Sequence, residues 1–488
     1  MKFISTRNEN IAVSSSQAIL QGLSAEGGLF VPAVFPKADL AALQDKTYPQ
    51  LAAAILSNYL TDYPMEFLQT AAREAYGPAF HGKAGHLSAV RENLYALELW
   101  HGPTCAFKDY ALQLMPRLLV QAKKNLGRTE TTQILVATSG DTGKAALDGY
   151  HDIPGVKIAV FYPQDGTSEI QRLQMTTQEG GNVAVYAVKG NFDDAQTGVK
   201  RVFADTAIQK ALAEKDICLS SANSINWGRL VPQIVYYFYA YFRLVDAKRI
   251  AMGDSVDFCV PTGNFGDILA GYYAKQMGLP IGQLICASNQ NDVLTDFLST
   301  GTYDVRRPFY KTTSPSMDIL VSSNLERLLY HMTGSAETVS GWMAQLAKDG
   351  HYTVDAQTLA SIQETFTCGC ADDALVAGEI RHQYNDNQYL CDTHTAVALH
   401  VAECWMENHP TDTPVVVLST ASPFKFPRSV LDALGEKAPE NDFTAMQVLE
   451  QHTGLTAPES LSALKTKAER FSAVIRPEEI ADAALGLR

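Results

Sequence analysis

The stretch TTQILVATSGDTGKAAL, residues 131–147, runs from an apolar segment through a loop into a helix-like pattern. Its β-rich start predicts a buried strand, and Lys144-Ala-Ala-Leu is where the pattern predicts that a helix opens. A loop at a helix N-terminus presents backbone N–H groups, which suits a carboxylate or a phosphate. An ordinary strand-to-helix turn with a capping threonine remains the alternative. The loop consists of Thr138, Ser139, Gly140, Asp141, Thr142 and Gly143.

Further apolar runs follow this one, and helical patterns such as Asp109–Lys124 and Gly266–Met277 lie among them. Strands that alternate with helices predict βαβ units. The fold class is therefore α/β, with a mainly parallel sheet that helices cover on both faces. The other predicted strands lie at 156–163, 182–190, 256–263, 283–289 and 413–422.

The two ends of the chain differ from this middle part. The first 90 residues are helical in pattern, as in LAAAILSNYL (51–60) and MEFLQTAAREAY (65–76). We interpret 1–90 as a separate N-terminal segment. From Glu436 the sequence is polar and helix-like, which predicts a C-terminal extension over 436–488. A chain of 488 residues agrees with about three domains, or two with extensions.

Composition narrows the class of protein. The chain has 39 basic and 53 acidic side chains, a formal net charge of −14, which argues against a nucleic-acid partner. A local pocket can still bind an anionic small molecule. The start, MKFISTRNEN, has no long apolar segment, and no run of ~18 apolar residues occurs, so we expect no signal peptide and no membrane span. The missing signal and the scattered cysteines, expected to be reduced thiols, predict a cytoplasmic location. We expect no metal site, because Cys368 and Cys370 lack companion ligands.

Two more predicted strands end in polar loops. In VDFCVPTGNFGD (256–267), Gly263 and Gly266 allow the backbone to approach an anion closely. The loop lacks the GxGxxG pattern, so it does not indicate a dinucleotide. In VVVLSTASPFKF (415–426), hydroxyl groups stand at the strand end and Lys425 follows. Each loop could also be a simple turn, the first with an aspartate cap and the second with polar side chains.

A lysine adds a reactive amine to these three predicted loops. In HGPTCAFKDYAL (101–112), Lys108 follows Ala106 and Phe107 at a predicted helix start. Taken alone, Lys108 could be a surface lysine. A lysine that forms an imine, a glycine loop for a phosphate and a hydroxyl for a ring nitrogen together form a site for pyridoxal 5′-phosphate (PLP).

The motifs around these residues resemble those of the threonine synthase family, which belongs to the fold type II, tryptophan-synthase-β-like PLP enzymes. Residues 5–36, which contain GGLFVP, are similar to the N-terminal domain that separates this family from dehydratases and cysteine synthases. The other matching segments are GPTCAFKD (102–109), ATSGDTGKAA (137–146), TSEIQRLQMTT (167–177), NSINWGRLVPQIVYYF (223–238) and PTGNFGDILAGYYAKQMGLPI (261–281).

The resemblance implies a fold type II PLP enzyme with two parallel-type α/β domains over 91–435 and an active site between them. The N-terminal threonine synthase domain would span 1–90, and the C-terminal helical extension 436–488. The implied reaction converts O-phospho-L-homoserine and water to L-threonine and phosphate by a γ,β-replacement. The expected partner is this small-molecule substrate, and we expect a monomer or a homodimer.

The resemblance also implies roles for individual residues. Lys108 would hold PLP and carry protons at Cα, Cβ and C4′. The cofactor phosphate would be bound at Gly263, Asn264, Phe265, Gly266 and Asp267. Thr420 would face the pyridine nitrogen. Candidates for the substrate carboxylate are Thr138, Ser139 and Thr142, and candidates for the substrate phosphate are Lys144, Arg229 and Lys425, each of which could instead be a structural charge.

The sequence departs from its relatives in places. Asp141 stands where many enzymes of this fold have an asparagine that contacts the cofactor ring hydroxyl, so we keep Asp141 as a cofactor-binding candidate whose contact is open. Ser422 replaces a histidine, and no role is assigned to it. A threonine or serine dehydratase would share Lys108 and the glycine loop. A ligand-binding relative without turnover and a nucleotide-binding protein are the remaining alternatives.

Overall fold

The computed structural model describes residues 1–138, 140–164 and 167–487. Within them, each of the six strand segments predicted from the sequence forms a strand. The strands are β1 (Lys2–Ser5), β2 (Asn8–Ser14), β3 (Phe30–Pro32), β4 (His86–Arg91), β5 (Leu94–Glu98), β6 (Thr131–Ala137), β7 (Val156–Pro163), β8 (Val183–Val188), β9 (Ile217–Ser220), β10 (Val256–Pro261), β11 (Ile281–Ser288), β12 (Thr302–Asp304), β13 (His351–Thr353), β14 (Phe366–Cys370), β15 (Val415–Ser419) and β16 (Val474–Ile475).

Helices surround these strands on both sides, as expected for an α/β fold. They are α1 (Ser15–Gln21), α2 (Leu40–Leu43), α3 (Tyr48–Tyr59), α4 (Met65–Ala75), α5 (Lys108–Leu112), α6 (Met115–Asn125), α7 (Asp141–Tyr150), α8 (Glu169–Thr176), α9 (Phe192–Ala204), α10 (Thr206–Ala213), α11 (Trp227–Leu230), α12 (Ile234–Asp246), α13 (Gly266–Gln276), α14 (Val293–Thr300), α15 (Leu325–Thr333), α16 (Ala336–Asp349), α17 (Ala356–Gln363), α18 (Asp373–Asn387), α19 (Thr393–Asn408), α20 (Pro427–Leu434), α21 (Asp442–Thr453), α22 (Glu459–Ser462) and α23 (Ile480–Leu485).

Two larger sheets form the framework of the protein. One has six strands in the order β14-β11-β10-β15-β5-β4, and only the edge strand β4 runs antiparallel to its neighbour. The other has five parallel strands in the order β16-β8-β7-β6-β9. Their central strands are apolar and buried on both faces, as parallel strands covered by helices require. The sequence therefore predicts the fold class correctly.

The two ends of the chain contain strands that the sequence pattern did not predict. β1, β2 and β3 form an antiparallel sheet, while the helical patterns at 51–60 and 65–76 become α3 and α4. β2 is largely exposed, so it lacks the clear alternation of apolar and polar residues that marks a half-buried strand. In the C-terminal extension, β16 adds a short edge strand to the five-stranded sheet. The domain limits at 90/91 and 435/436 remain predictions.

The predicted helix over Asp109–Lys124 is two helices, α5 and α6. Pro116 explains the break, because proline has no N–H to donate to the carbonyl of Leu112 one turn earlier. The helix after β6 begins at Asp141, three residues before the predicted start at Lys144. As a result, Lys108 and Asp141 each lie in the first turn of a helix, and these two helices pack against each other.

Gly149 sets the distance between these two helices. A Cβ at this position would overlap with the carbonyl oxygen of Leu112 and lie 2.8 Å from its carbonyl carbon. We expect Gly149→Ala to lower the free energy of unfolding by about 1–3 kcal/mol, the usual cost of overpacking. Urea unfolding measures this change. In the control Gly341→Ala, within α16, a Cβ meets no atom within 4 Å. That variant should gain up to about 1 kcal/mol from helix propensity. Equal effects of the two substitutions would contradict the packing argument.

Candidate active site

Lys108 lies at the start of α5, in a loop that is fixed to the end of β15. The N–H of Phe107 donates to the carbonyl of Thr420 at 2.9 Å, and Ala106 forms an isolated antiparallel bridge with Ala421. The Lys108 side chain is 12% exposed, and its Nζ lies 3.9 Å from Oδ2 of Asp141 and 4.7 Å from the centre of the Phe107 ring. Burial lowers the pKa of the Lys108 amine, Asp141 opposes this, and the cations Lys425 and Arg229 lower the pKa further. The neutral amine, the form that attacks a carbonyl, is therefore easier to form here than in an exposed lysine.

Asp141 and Lys425 form a buried ion pair that joins the two larger sheets. Lys425 Nζ lies 2.8 Å from Oδ1 of Asp141 and donates at 3.0 Å to the carbonyl of Thr104. The Lys425 side chain is fully buried and that of Asp141 is 4% exposed. Burial would raise the pKa of Asp141, but Lys425 and Lys108 outweigh it, and this pKa is held well below its usual range. Asp141 is thus a carboxylate beside the Lys108 amine, with its charge matched by Lys425.

The loop after β10 presents a row of backbone donors. In the described part of the chain, the N–H groups of residues 263–267 donate to no acceptor. Phe265 has a φ of +62°, and it is the N-cap of α13 without a capping side chain. The loop is held from behind, because Ser322 donates to the carbonyl of Gly263 at 2.7 Å and Asn324 Nδ2 donates to that of Asn264 at 3.0 Å. Such a rigid N-terminus of an eleven-residue helix suits an anion.

Arg229 is a buried cation without a carboxylate partner among the described residues. One Nη donates to the carbonyl of Ala222, and Nε has no hydrogen-bond partner there. Burial lowers the pKa of its guanidinium to about 10, opposed by Tyr150. Arg229 also lies near enough to Lys108 to lower the pKa of that amine. A buried cation of this kind is stabilised by an anionic ligand.

The loop after β6 and the start of α7 contain the residues predicted to bind the substrate carboxylate. Oγ1 of Thr138 accepts from the N–H groups of Gly140 and Gly143, each at 3.0 Å, so this hydroxyl already orders the loop. Thr142 follows Asp141 in the first turn of α7. Ser139 lies outside the described residues.

The Lys144 side chain contacts Asp148 and Gln178 and not the residues around Lys108. Its Nζ lies 3.5 Å from Asp148 one helical turn later and donates to Oε1 of Gln178. Burial lowers the pKa of the Lys144 amine, and Asp148 and Asp109 oppose this effect. The structure thus brings Lys108, Asp141, Lys425 and Arg229 together and directs Lys144 away from them.

Thr420 and Ser422 follow β15 in the segment that contacts the Lys108 loop. Thr420 is buried, and its carbonyl accepts from Phe107. Its hydroxyl forms no hydrogen bond with the described residues and is therefore available to a ligand. Ser422 caps the turn that carries Lys425, through a hydrogen bond of 3.3 Å from the N–H of Phe424 to its Oγ. A structural role therefore accounts for Ser422.

The structure adds three residues that the sequence did not single out. Gln171 donates from Nε2 to Oδ1 of Asp141 at 2.9 Å. Oγ of Ser316 lies 3.5 Å from Oδ2 of Asp141, and the N–H of Ser316 donates to Nε2 of His394 at 3.1 Å. These residues come from distant segments and stand at no strand end, so no local pattern marks them as site residues. Gln171 does lie in TSEIQRLQMTT (167–177), one of the segments that resemble the threonine synthase family.

Three family models match the chain. The threonine synthase N terminus model matches residues 2–76, the pyridoxal-phosphate dependent enzyme model matches 83–363, and the threonine synthase C-terminal model matches 395–483. A threonine synthase from Pseudomonas aeruginosa is 40% identical over 447 residues, which cover 90% of this chain and 92% of that protein.

The chain belongs to the threonine synthase family.

Solved structures agree with this membership. A PLP-bound threonine synthase from Brucella melitensis has 38% sequence identity and a TM-score of 0.89, with 99% of both chains covered. The yeast threonine synthase has 34% identity and a TM-score of 0.88, with 99% of this chain and 98% of that chain covered. The threonine synthase-like 1 protein of Macaca fascicularis is 41% identical over 86% of this chain, which spans only 58% of that longer relative. Family membership confirms the resemblance inferred from the sequence motifs.

Proposed function

We propose that this protein is a threonine synthase that uses PLP to convert O-phospho-L-homoserine and water into L-threonine and phosphate. The observation that carries this proposal is the position of the Lys108 amine, which lies 3.9 Å from Asp141. Arg229 lowers the pKa of this amine and Asp267, at the end of the loop of residues 263–267, raises it, so both lie close to the amine. Atoms balance in this reaction, because phosphate leaves from Cγ and the hydroxyl group of water is added at Cβ.

The side chains and loop fit PLP. An amine with a lowered pKa, the unpaired N–H groups of residues 263–267 and the available hydroxyl of Thr420 match the aldehyde, phosphate and ring nitrogen of this cofactor. When bound, PLP supplies an electron-withdrawing ring that stabilises negative charge on the substrate carbons next to the amine. A hydroxyl at the ring nitrogen, in place of a carboxylate, would leave that nitrogen neutral.

The other residues have roles that follow from their charges. The neutral Lys108 amine can accept and return protons at Cα, Cβ and C4′. Asp141, kept ionised by Lys425, can stabilise the protonated Lys108 between these transfers. We assign Thr138, Ser139 and Thr142 to the substrate carboxylate and Arg229 to the substrate phosphate. Lys425 acts mainly through Asp141, and Lys144 is the weakest of the predicted phosphate contacts.

The partners follow from the same proposal. The substrate is a small anionic molecule, and the net charge of −14 argues against a nucleic-acid partner. No helix in the described residues is long and apolar enough to cross a membrane. We propose a cytoplasmic enzyme that acts as a monomer or a homodimer.

Substrate choice tests the role of the phosphate. We expect L-homoserine to be turned over at least 10³-fold less efficiently than O-phospho-L-homoserine. The reason is that losing the phosphate removes several charge-assisted hydrogen bonds, each worth about 1.5–3 kcal/mol. The measurement is kcat/KM for threonine formation from each compound. O-Acetyl-L-homoserine serves as the control, since it has a leaving group without the phosphate charge. Comparable turnover of the three compounds would contradict a phosphate site.

A further inference from the structure

Asp267 is a buried carboxyl group in the first turn of α13, at the end of the loop of residues 263–267. The hydroxyls of Tyr236 and Tyr237 both donate to its Oδ1, the second at 3.3 Å. The Tyr237 hydroxyl also donates to the Asp267 carbonyl at 2.9 Å. Its other oxygen, Oδ2, is fully buried and has no hydrogen-bond partner among the described residues. One side of this carboxyl group is therefore fixed by two phenols, and the other still requires a partner.

Burial favours the neutral form of Asp267, against the effect of its neighbours. Tyr236 and Tyr237 face it from α12, and Lys108 faces it from α5; no other titratable side chain of the described residues acts on it. Burial raises the pKa of Asp267 to about 7, although the two phenols and Lys108 oppose this effect. Burial also raises the pKa of both phenols well above the usual value, so they remain neutral donors.

An ionised Asp267 would conflict with the proposed phosphate site. The unpaired N–H groups that would bind the phosphate dianion include that of Asp267 itself, so the dianion would lie close to this carboxyl group. Two like charges held close together in a buried site repel strongly, and the weaker acid takes up a proton. A protonated carboxyl group removes the repulsion and gains one O–H donor. If the proton is on Oδ2, no described residue provides an acceptor for it, so the phosphate can accept this hydrogen bond.

We propose that Asp267 is a neutral carboxylic acid that donates a hydrogen bond from Oδ2 to the phosphate of the cofactor. The inference rests on the proposed use of PLP and adds a protonation state and a direction of donation. It makes cofactor binding depend on pH. Above the pKa of the unbound Asp267, binding must take up a proton, so the affinity falls as pH rises.

The test measures proton uptake when cofactor-free enzyme binds pyridoxine 5′-phosphate. This probe has the ring and phosphate of the cofactor but no aldehyde, so Lys108 cannot form a covalent bond with it. Calorimetry at pH 8 in buffers of different ionisation enthalpy gives the number of protons exchanged. At this pH the phosphate is already a dianion, since its second pKa is about 6.

We expect the parent to take up close to one proton more than Asp267→Asn, whose amide is always neutral and can donate from Nδ2. Between pH 7.5 and 8.5, probe affinity of the parent should fall about tenfold, while that of Asp267→Asn should change less than about threefold. Asp267→Ala, which lacks the donor, should bind the probe about tenfold more weakly than the parent at pH 7. The control Asp257→Asn removes a buried acid at the other end of β10 and should keep the uptake of the parent.

The parent alone can refute the inference, even if a variant fails to fold. Probe binding by the parent without net proton uptake at pH 8 would overturn it and leave the proposed function standing. Equal uptake by the parent and Asp267→Asn would also overturn it. A parent that binds neither the probe nor PLP would overturn the proposed function as well.

Discussion

Replacing Lys108 by alanine is expected to abolish threonine formation, with a loss of at least 10³-fold in kcat, and to leave a folded protein that still binds PLP weakly. The amine is both the covalent attachment point and the proton carrier in the proposed reaction, and proton transfer by a side chain alone contributes about 10²–10⁴-fold. The remaining affinity comes from the loop of residues 263–267 and from Thr420. Stability should change little, because the substitution removes a desolvated amine that lies near two other cations.

The measurement is phosphate release from O-phospho-L-homoserine, with circular dichroism of the same samples. Lys108→Arg should not restore activity, since a guanidinium stays protonated and forms no imine. Lys124→Ala, an exposed lysine in α6, is the matched control and should keep the parent rate. A folded Lys108→Ala protein with phosphate release near the parent rate would show that Lys108 is only a lysine at a helix start.

Replacing Lys425 by methionine is expected to lower the free energy of unfolding by about 3–5 kcal/mol, the usual cost of leaving one partner of a buried ion pair uncompensated. The substitution keeps an unbranched side chain of nearly the same length, but among the described residues it leaves Asp141 with Lys108 as its only nearby cation. The pKa of Asp141 should then rise, and Asp141 should hold the Lys108 amine in its charged form. Urea unfolding at pH 7 gives the first effect, and the pH dependence of PLP attachment gives the second.

Asp141→Asn combined with Lys425→Met provides the control for this pair. An amide needs no counter-charge, so the double variant should recover at least half of the stability that Lys425→Met loses. The pKa of Asp141 is held below its usual value, so the stability from the pair is fully present near neutral pH and is lost only in strong acid. If the loss in the double variant equals the sum of the losses in Lys425→Met and in Asp141→Asn alone, these residues do not act as a pair.

The sequence predicts the fold class and six strands of the two larger sheets, but not β4, β5, β9, β14 and β16. It predicts these six because most of them are buried on both faces. Such strands are nearly continuous apolar runs, and the loops that follow β6, β10 and β15 contain the small and hydroxyl residues at the predicted positions. The antiparallel strands β1–β3 are shorter or more exposed, so their pattern is weaker. Pro116 is visible in the sequence and could have predicted the break between α5 and α6.

The site is only partly visible in the sequence, because its charges are paired over long distances along the chain. Asp141 is notable in the sequence as a departure from asparagine, but only the structure shows that Lys425 matches its charge. In contrast, the pairing of Lys144 with Asp148 has the i, i+4 spacing of a helix and could have been predicted. The open side of the Asp267 carboxyl group depends on burial by α12 and on two tyrosines, which no local pattern reveals.

Product analysis in ¹⁸O-labelled water is the most direct test of the proposed function. The enzyme is incubated with PLP and O-phospho-L-homoserine, and the products are identified by chiral chromatography and mass spectrometry. We predict L-threonine and phosphate in equal amounts, with one ¹⁸O in the threonine hydroxyl and none in the phosphate, because the C–O bond at Cγ breaks and water adds at Cβ. Formation of 2-oxobutanoate and ammonia in place of threonine, or of homoserine with ¹⁸O in the phosphate, would contradict the account.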